Sequence, residues 1–275
     1  MKPEEITSLS FFIDLIGNYL KSGHAEKIYE KDLSAGETRL PLLTPSGRER
    51  SAETSSLPLA YMIDEPNEDD EITGSSDIND NLDNINKEIF SCTSCSLSKE
   101  RINTVPGEGH LRPLVMVIGE GPGADEDKAG KPFVGKAGKL LDKMLESIGL
   151  YRDKNCFIAN MVKCRPPGNR DPLPMELTAC FPFLERQINI LKPKIILCAG
   201  RIASQSLLNT STGINALRGK FHTFYLSKEK GSAGKTIPVL CTFHPSALLR
   251  DESLKRPAWE DLKLLRSKLD SIKEE

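Results

Sequence analysis

Apolar residues near the N-terminus recur at helical spacing. They follow one another at steps of three and four residues from Ile6 to Leu20, and Gly23 is placed to end a helix. The spacing predicts an amphipathic helix at about 5–22, within an N-terminal region of residues 1–30. An isolated helix of this length is marginally stable. The helix therefore either docks on the rest of the chain or on a protein partner, or stands alone as a weak element.

The next segment has almost no apolar pattern. From Ser34 to Asn86 the composition turns to Ser, Thr, Pro, Asn, Asp and Glu, with P-N-E-D-D-E at 66–71. Such a segment cannot bury enough apolar area to offset the entropy lost on ordering. The composition predicts an acidic disordered linker over residues 31–87.

From Glu88 onward, short apolar runs alternate with amphipathic stretches. Four runs predict strands: Leu114–Ile118, Cys156–Ala159, Ile195–Ala199 and Ile237–Thr242. Helical patterns lie at about 136–148, 174–191, 201–208 and 258–273, and Lys220–Leu226 can add a short strand or hairpin. The alternation predicts an α/β domain at 88–275, with a central, mainly parallel four-stranded sheet covered by helices on both faces.

Glycine and polar residues follow each predicted strand. The loops read G-E-G-P-G at 119–123, N-M-V-K-C-R-P-P-G-N-R at 160–170, A-G-R at 199–201 and F-H-P-S-A-L-L-R at 243–250. In a parallel sheet, the loops at the carboxyl ends of the strands form the ligand site. We expect the functional residues in these four loops.

Charge divides the chain into an acidic leader and a basic body. The 275 residues carry a net charge of -2. Residues 1–90 hold 8 Lys and Arg against 19 Asp and Glu, a net charge of -11, and the remaining 29 and 20 give +9. The body is therefore expected to attract polyanions, and the leader can compete with them.

The absence of a recognisable targeting signal, together with the cysteine usage, indicates a soluble intracellular protein. The first thirty residues mix charged and apolar positions, unlike a secretory signal, and no apolar run approaches the ~20 residues of a membrane span. Seven cysteines are too few for a disulfide scaffold in a chain of this length. Reduced thiols or metal ligands are expected instead.

The glycine loop at 119–123 formally matches the start of a dinucleotide-binding fingerprint. That fingerprint needs a helix that begins within the glycines, whereas the helical pattern here begins only near Lys136. The acidic residues Asp125, Glu126 and Asp127 would also repel a pyrophosphate. We therefore expect the glycines to let the backbone approach a flat ligand closely.

Four of the seven cysteines lie in polar, loop-like surroundings: Cys92, Cys95, Cys164 and Cys180. Four thiolates suit either zinc or a [4Fe–4S] cluster, and the residues alone leave both open. The other three, Cys156, Cys198 and Cys241, lie inside predicted strands and are expected to be core residues.

Three of these loops, at 119–123, 160–170 and 243–250, resemble the family 4 uracil-DNA glycosylases, together with E-D-K-A-G-K-P-F-V-G-K-A-G-K-L-L at 126–141 and the four loop cysteines. The resemblance covers about residues 88–272. The resemblance implies a three-layer α/β/α sandwich and excision of uracil from DNA. It also implies a structural [4Fe–4S] cluster on Cys92, Cys95, Cys164 and Cys180. A monomer that acts on uracil-containing DNA, in the cytoplasm at the nucleoid, is expected.

The residues of these motifs fit the chemistry of uracil excision. A glycosylase flips its target nucleotide out of the duplex, so Gly121 would permit close backbone approach and Phe133 would offer a stacking surface. The amide of Asn160 can donate to uracil O4 and accept from N3–H, a pattern that cytosine reverses. His244 would donate a hydrogen bond to the charge that develops on uracil O2.

Further roles are implied by the resemblance and by residue type. Glu126 is expected near the uracil C5 edge, where it braces Asn160, and Asn169 is expected near the substrate. Glu120 is the candidate for positioning water or stabilising the sugar cation. DNA contacts are assigned to Ser246 on phosphate, to Leu248 or Leu249 as a wedge that fills the gap left by the flipped base, and to Arg250.

Two other classes of protein remain as alternatives. The main one is a non-catalytic DNA-binding or polymerase-associated module with the same fold and cluster. The presence of Phe133, Asn160 and His244 beside an intact glycine loop favours the enzyme, because a binding module would not need all of them. A zinc protein that binds a nucleotide cofactor is the weaker alternative.

Overall fold

The computed structural model describes residues 80–226 and 236–273. The predicted helix region at 1–30, and the linker as far as residue 79, lie outside the described residues. The first described helix, α1 (Leu82–Ser91), begins before the predicted domain boundary at residue 88. Ile85 and Ile89 on this helix are buried, so the folded body includes residues that were assigned to the linker.

The centre of the fold is a six-stranded sheet, in the order β1-β3-β2-β4-β6-β5. Its strands are β1 (Glu108–Gly109), β2 (Val115–Gly119), β3 (Cys156–Asn160), β4 (Ile195–Ala199), β5 (Phe221–Tyr225) and β6 (Thr236–Thr242). The four predicted strands are the parallel centre, which confirms the α/β class. The predicted count of four was wrong because two antiparallel edge strands are added. β5 lies within the segment at 220–226, whereas β1 has two residues and no apolar pattern.

Helices cover both faces of the sheet. After α1 they are α2 (Ala124–Ala129), α3 (Lys136–Glu146), α4 (Pro174–Leu191), α5 (Arg201–Leu207), α6 (Ile214–Leu217), α7 (Pro245–Arg250) and α8 (Lys255–Lys273). The predicted helices correspond to α3, α4, α5 and α8. The expectation that no helix begins before Lys136 was wrong, because the short α2 starts directly after the glycine loop. Within the described ranges, no helix is long and apolar enough to cross a membrane.

Alternation along the central strands creates two separate cores. On one face, Met116 and Ile118 of β2 pack in a cluster with residues of α4 and α5. On the other face, Val115 and Val117 pack with residues of α3 and α8. Because successive side chains of a strand point to opposite faces, both faces of the sheet are apolar and both need helices. The result is the three-layer α/β/α sandwich.

Strand register places the four loops together. Gly119 at the end of β2 pairs with Asn160 at the end of β3. Ala199 at the end of β4 pairs with Thr242 at the end of β6. Since these strands are parallel, the glycine loop, the loop after Asn160, the A-G-R loop and the F-H-P-S loop all leave the same edge of the sheet.

The start of α1 generates the first testable prediction. Removal of residues 1–87 deletes Ile85, which is 0% exposed, and Asp80, which is paired with Arg186 on α4. Burial of an isoleucine is worth ~1.5–3 kcal/mol. A protein that begins at residue 88 should therefore melt several degrees below one that begins at residue 80, with differential scanning calorimetry as the measurement. Equal melting temperatures would contradict the assignment of α1 to the folded body.

Candidate active site

A cavity of about 530 Å³ opens at the carboxyl edge of the parallel strands. Its walls bring together nine of the residues singled out in the sequence: Glu120, Gly121, Glu126, Phe133, Asn160, Asn169, His244, Ser246 and Arg250. All four loops contribute to the cavity. Leu248 does not line it, and the four loop cysteines line a different cavity.

The floor of the cavity combines glycine backbone with an aromatic ring. A Cβ atom on Gly119 would lie 2.6 Å from the ring of Phe133 and would also meet the side chain of Asn160. A Cβ atom on Gly121 would lie 2.8 Å from Val162. Side chains at either position would therefore collide with these neighbours, so the local packing requires glycine. The predicted approach of the backbone to a flat ligand stays a prediction.

Phe133 is held in an unusual backbone conformation. Its φ of 53° lies in the left-handed region, which costs a bulky residue roughly 1–3 kcal/mol. Arg152 holds the loop, because its Nη2 donates to the Phe133 carbonyl at 2.6 Å and its Nη1 donates to the Pro132 carbonyl at 2.7 Å. No motif or spacing had indicated Arg152, since an arginine after a helix usually lies on a solvated surface.

Asn160 presents an unpartnered acceptor to the cavity. The residue is 2% exposed, and its Oδ1 is buried without a hydrogen-bond partner among the described residues. A buried acceptor without a donor costs ~1–3 kcal/mol. A ligand with an N–H group aimed at Oδ1 would remove this cost, so the free protein is arranged to accept such a ligand.

Glu126 shapes the wall beside Asn160. One carboxylate oxygen accepts from the backbone N–H groups of Val134 and Gly135, at 2.9 and 3.0 Å. The other accepts from Gly123 at 3.1 Å. Over the described residues these are its hydrogen bonds, and none reaches Asn160, so the predicted bracing of that side chain is not seen. The carboxylate also occupies an amide at the start of α2, where a pyrophosphate would have to bind.

His244 caps helix α7 and is expected to be neutral. Its Nδ1 accepts from the backbone N–H of Ser246 at 3.2 Å and lies 2.8 Å from the Ser246 hydroxyl. An Nδ1 that accepts leaves the ring proton on Nε2. Burial, assisted by the positive charge of Arg250, lowers the pKa of His244 to about 4. The ring lies 5.6 Å from that of Phe133, so a neutral N–H donor stands beside the aromatic floor.

The cavity wall also contains a pair of opposite charges that the sequence did not reveal. Asp171 and Arg201 line the cavity beside Glu120, and Arg201 donates to Asp171 at 2.6 Å. Burial, reinforced by the negative charge of Asp171, raises the pKa of Glu120 to about 7, although Arg201 opposes the shift. The only signal for Arg201 was its place in the A-G-R loop, because nothing in its own neighbourhood indicated an ion pair with Asp171.

The two adjacent leucines of α7 have opposite surroundings. Leu248 is 2% exposed and packs with Phe243 and Ala258, whereas Leu249 is 50% exposed. The assignment of Leu248 to DNA contact is therefore corrected, since a core side chain cannot enter a duplex without unpacking. On the same helix, Arg250 donates to the Ser246 hydroxyl at 3.4 Å.

Asn169 lies in a tight turn at the rim of the cavity. Its φ of 56° is in the left-handed region, which asparagine tolerates better than most residues. Its Oδ1 accepts from Nε of Arg165 at 2.8 Å. Because the carbonyl end of the amide is engaged, the NH₂ end can serve as a donor.

The four loop cysteines line one small cavity between α1, the loop after β3 and α4. Cys92, Cys95, Cys164 and Cys180 share it. Arg101 donates to the sulfur of Cys164, and the backbone N–H of Lys163 donates to the sulfur of Cys180, each at 3.2 Å. The described residues contain no group of three or more His, Cys, Asp or Glu side chains placed to hold a metal ion. The other three cysteines, Cys156, Cys198 and Cys241, are buried in strands, as predicted.

Comparison with known proteins connects this fold and site to one superfamily. Residues 106–263 match the family model of the Uracil DNA glycosylase superfamily. The match covers more than half of the chain and includes the loops that line the cavity. The chain belongs to the uracil DNA glycosylase superfamily.

Curated relatives identify the group within that superfamily. The chain is 45% identical to the type-4 uracil-DNA glycosylase of Sulfurisphaera tokodaii over 193 residues, which are 68% of this chain and 84% of the relative. It is 42% identical to the type-4 enzyme of Archaeoglobus fulgidus over 188 residues, which are 67% and 91% of the two chains. It is 43% identical to the type-4 enzyme of Saccharolobus solfataricus over 197 residues, which are 70% of this chain and 88% of the relative. The chain is a member of the type-4 family.

The raised pKa of Glu120 generates the second prediction. Below pH 7 the native carboxyl is mostly protonated, whereas in the unfolded chain it ionises above about pH 4.5. Folding therefore takes up a proton between these values, and stability falls as the pH rises. Glu120→Gln cannot ionise, so at pH 8.5 it should melt about 3 °C above the parent, the shift produced by ~1 kcal/mol in a domain of this size. At pH 4 the two should melt alike.

Asp153→Asn is the matched control, because Asp153 is an exposed acid that does not line the cavity. This variant should show no such gain in melting temperature at pH 8.5. A Glu120→Gln protein that melts at or below the parent at pH 8.5 would show that the native carboxylate is stabilised rather than destabilised by its surroundings.

Proposed function

We propose that this chain excises uracil from DNA by hydrolysing the N-glycosyl bond, with the cavity at the carboxyl edge of the sheet holding the flipped base. The observation that carries the proposal is the pairing of the unpartnered Oδ1 of Asn160 with the neutral N–H of His244 in one cavity. Uracil offers an N–H donor at N3 and carbonyl acceptors at O2 and O4. The two side chains match these groups.

Recognition of the base follows from Asn160 and Phe133. The Oδ1 accepts from uracil N3–H, and the amide NH₂ donates to O4. Cytosine has an acceptor at N3 and a donor at C4, so it would leave both ends of the amide opposed and buried. The Phe133 ring provides the flat surface against which the base stacks.

Bond cleavage depends on His244 and Glu120. As the bond breaks, negative charge grows on the uracil ring and positive charge grows on the sugar. The neutral Nε2–H of His244 donates to O2, where it stabilises the departing anion. Glu120 positions the attacking water or stabilises the sugar cation, and its carboxylate form suits both tasks. Asn169 adds a donor at the rim.

DNA is held by the residues around the mouth of the cavity. Ser246 and Arg250 at helix α7 contact phosphate, and the exposed Leu249 fills the gap left by the flipped base. The net charge of +9 over residues 91–275 favours a polyanion. The protein is proposed to act as a monomer at the nucleoid, with residues 1–30 available for a protein partner.

The cysteine cavity is proposed to hold a [4Fe–4S] cluster. The donor set is four cysteine sulfurs, and N–H donors from Arg101 and Lys163 already point at two of them, as expected for sulfurs that bear negative charge. When bound, the cluster supplies structural cross-linking rather than chemistry at the base. The cluster would join three separate segments of the chain, which carry Cys92 with Cys95, Cys164, and Cys180.

Incubation with a uracil-containing oligonucleotide, followed by alkali to cut at abasic sites, tests the function and generates the third prediction. After treatment with the parent protein, alkali should cut the strand only at the uracil position. His244→Ala should lower the single-turnover rate by ~100- to 1000-fold, with the affinity for uracil-free DNA unchanged. His222→Ala is the control, since His222 bonds the Leu217 carbonyl outside the cavity and should cut at the parental rate. A His244→Ala enzyme at full rate would exclude the proposed role.

Metal content generates the fourth prediction. Anaerobically purified protein should contain about four irons and four acid-labile sulfides per chain. Cys164→Ser should lower both and should lower the melting temperature. Cys198→Ala is the control, because Cys198 is a buried strand residue outside the cavity and should keep the full iron content. Stoichiometric zinc without iron would refute the cluster.

A further inference from the structure

Lys163 is a buried lysine to which neither the motif nor the mechanism above assigns a role. It is 1% exposed and lies in the turn after β3. Its Nζ donates to the Asn160 carbonyl at 3.0 Å and to Oε1 of Gln187 at 2.8 Å. Its backbone N–H donates to the sulfur of Cys180 at 3.2 Å, and its carbonyl accepts from Val105 at 2.8 Å.

A lysine in this position destabilises the fold. Removing an ammonium group from water costs several kcal/mol unless hydrogen bonds replace its hydration. A methionine would fill nearly the same volume without that cost. Gln187, which is 0% exposed, adds a second buried polar group and bonds the Pro106 carbonyl at 2.9 Å. The network therefore points to a purpose other than filling the core.

The network fixes the peptide unit that follows Asn160. That unit contains the carbonyl of Asn160 and the N–H of Met161. The N–H donates to the Gly119 carbonyl at 2.9 Å, and the carbonyl accepts from Lys163. Both polar atoms of the peptide are thus held, from the glycine loop on one side and from Lys163 on the other.

This restraint matters because the Asn160 side chain has none at its acceptor end. Its Oδ1 is without a partner among the described residues, so no hydrogen bond orients the amide at that end. Its direction depends on the packing around it and on the backbone to which it is attached. We propose that Lys163 is a positioning residue for base recognition, which clamps the Asn160 peptide so that the amide faces the base. The inference rests on the proposed function, in which Asn160 reads uracil.

The same residue links base recognition to the cysteine cavity. Lys163 lines that cavity together with Cys164 and Cys180, and its N–H bonds the Cys180 sulfur. The clamp on Asn160 is therefore itself anchored where the cluster is proposed to bind. A cross-link at the cavity would hold the base-reading residue without touching the substrate.

The test compares three variants: Lys163→Met, Gln187→Met and the double variant. Binding of free uracil is measured by calorimetry, and excision is measured in single turnovers. Lys163→Met should bind uracil about tenfold more weakly, the effect of losing one buried hydrogen bond, while its affinity for uracil-free DNA stays unchanged. Gln187→Met disturbs the same network but keeps the bond to Asn160, so it should lose thermal stability and keep uracil affinity within about twofold.

The double variant separates stability from positioning. It removes the Gln187 Oε1 that Lys163→Met leaves without a donor, so it should regain melting temperature but not uracil affinity. It also carries the test if Lys163→Met fails to fold. Equal uracil affinity in the double variant and in Gln187→Met would overturn the inference while leaving the excision function intact. A parental protein that excises no uracil would instead overturn the proposed function, and the inference with it.

Discussion

The parallel register of the central strands is the constraint on which the site depends. Gly119 lies beside Asn160 because β2 and β3 pair in that register, and the pairing of Ala199 with Thr242 brings the His244 loop to the same edge. A slip of one residue would turn Asn160 to the opposite face of the sheet. Since both faces are packed against helices, such a slip would also turn every side chain of the strand into the wrong core. The apolar cores therefore fix the site although they contribute no functional group to it.

The sequence predicted the residues whose type is unusual for their place. Glycine, asparagine and histidine are not the apolar residues that continue a buried strand, so their place directly after the strands indicates a site there. Arg152 and the Asp171–Arg201 pair were missed because charged residues in loops are ordinarily solvated, and only the folded chain brings them to the cavity. Helix α2 was missed because six residues carry too little periodicity. Leu248 was misassigned because two adjacent leucines do not reveal which of them faces the core.

Several parts of the site destabilise the fold that holds them. Asn160 has a buried acceptor without a donor among the described residues, Phe133 has a positive φ, and Glu120 is a carboxyl group in a poorly hydrated wall. Each cost is offset by the two apolar cores and by Arg152, which restrains the Phe133 loop. In the proposed function, a base whose N–H group meets Oδ1 of Asn160 would remove that part of the cost on binding. The free protein therefore contains a polar atom without a partner, Oδ1 of Asn160, that a suitable ligand would pair.

The phosphates of bound DNA would change the pKa values of the groups in the site. Phosphates that arrive at the mouth of the cavity raise the pKa of nearby groups, because negative charge favours the protonated form. The pKa of His244 starts near 4, so even an increase of about two units leaves the ring largely neutral at pH 7. A neutral imidazole is a far weaker acid than an imidazolium ion, so in the proposed mechanism His244 would stabilise the departing anion through a hydrogen bond and keep its proton. The pKa of Glu120 starts near 7, and the same phosphates would drive it toward the neutral form. Arg201 opposes protonation of Glu120, because its positive charge lowers the pKa of that carboxyl group. The hydrogen bond from Arg201 to Asp171 holds the guanidinium group near Glu120.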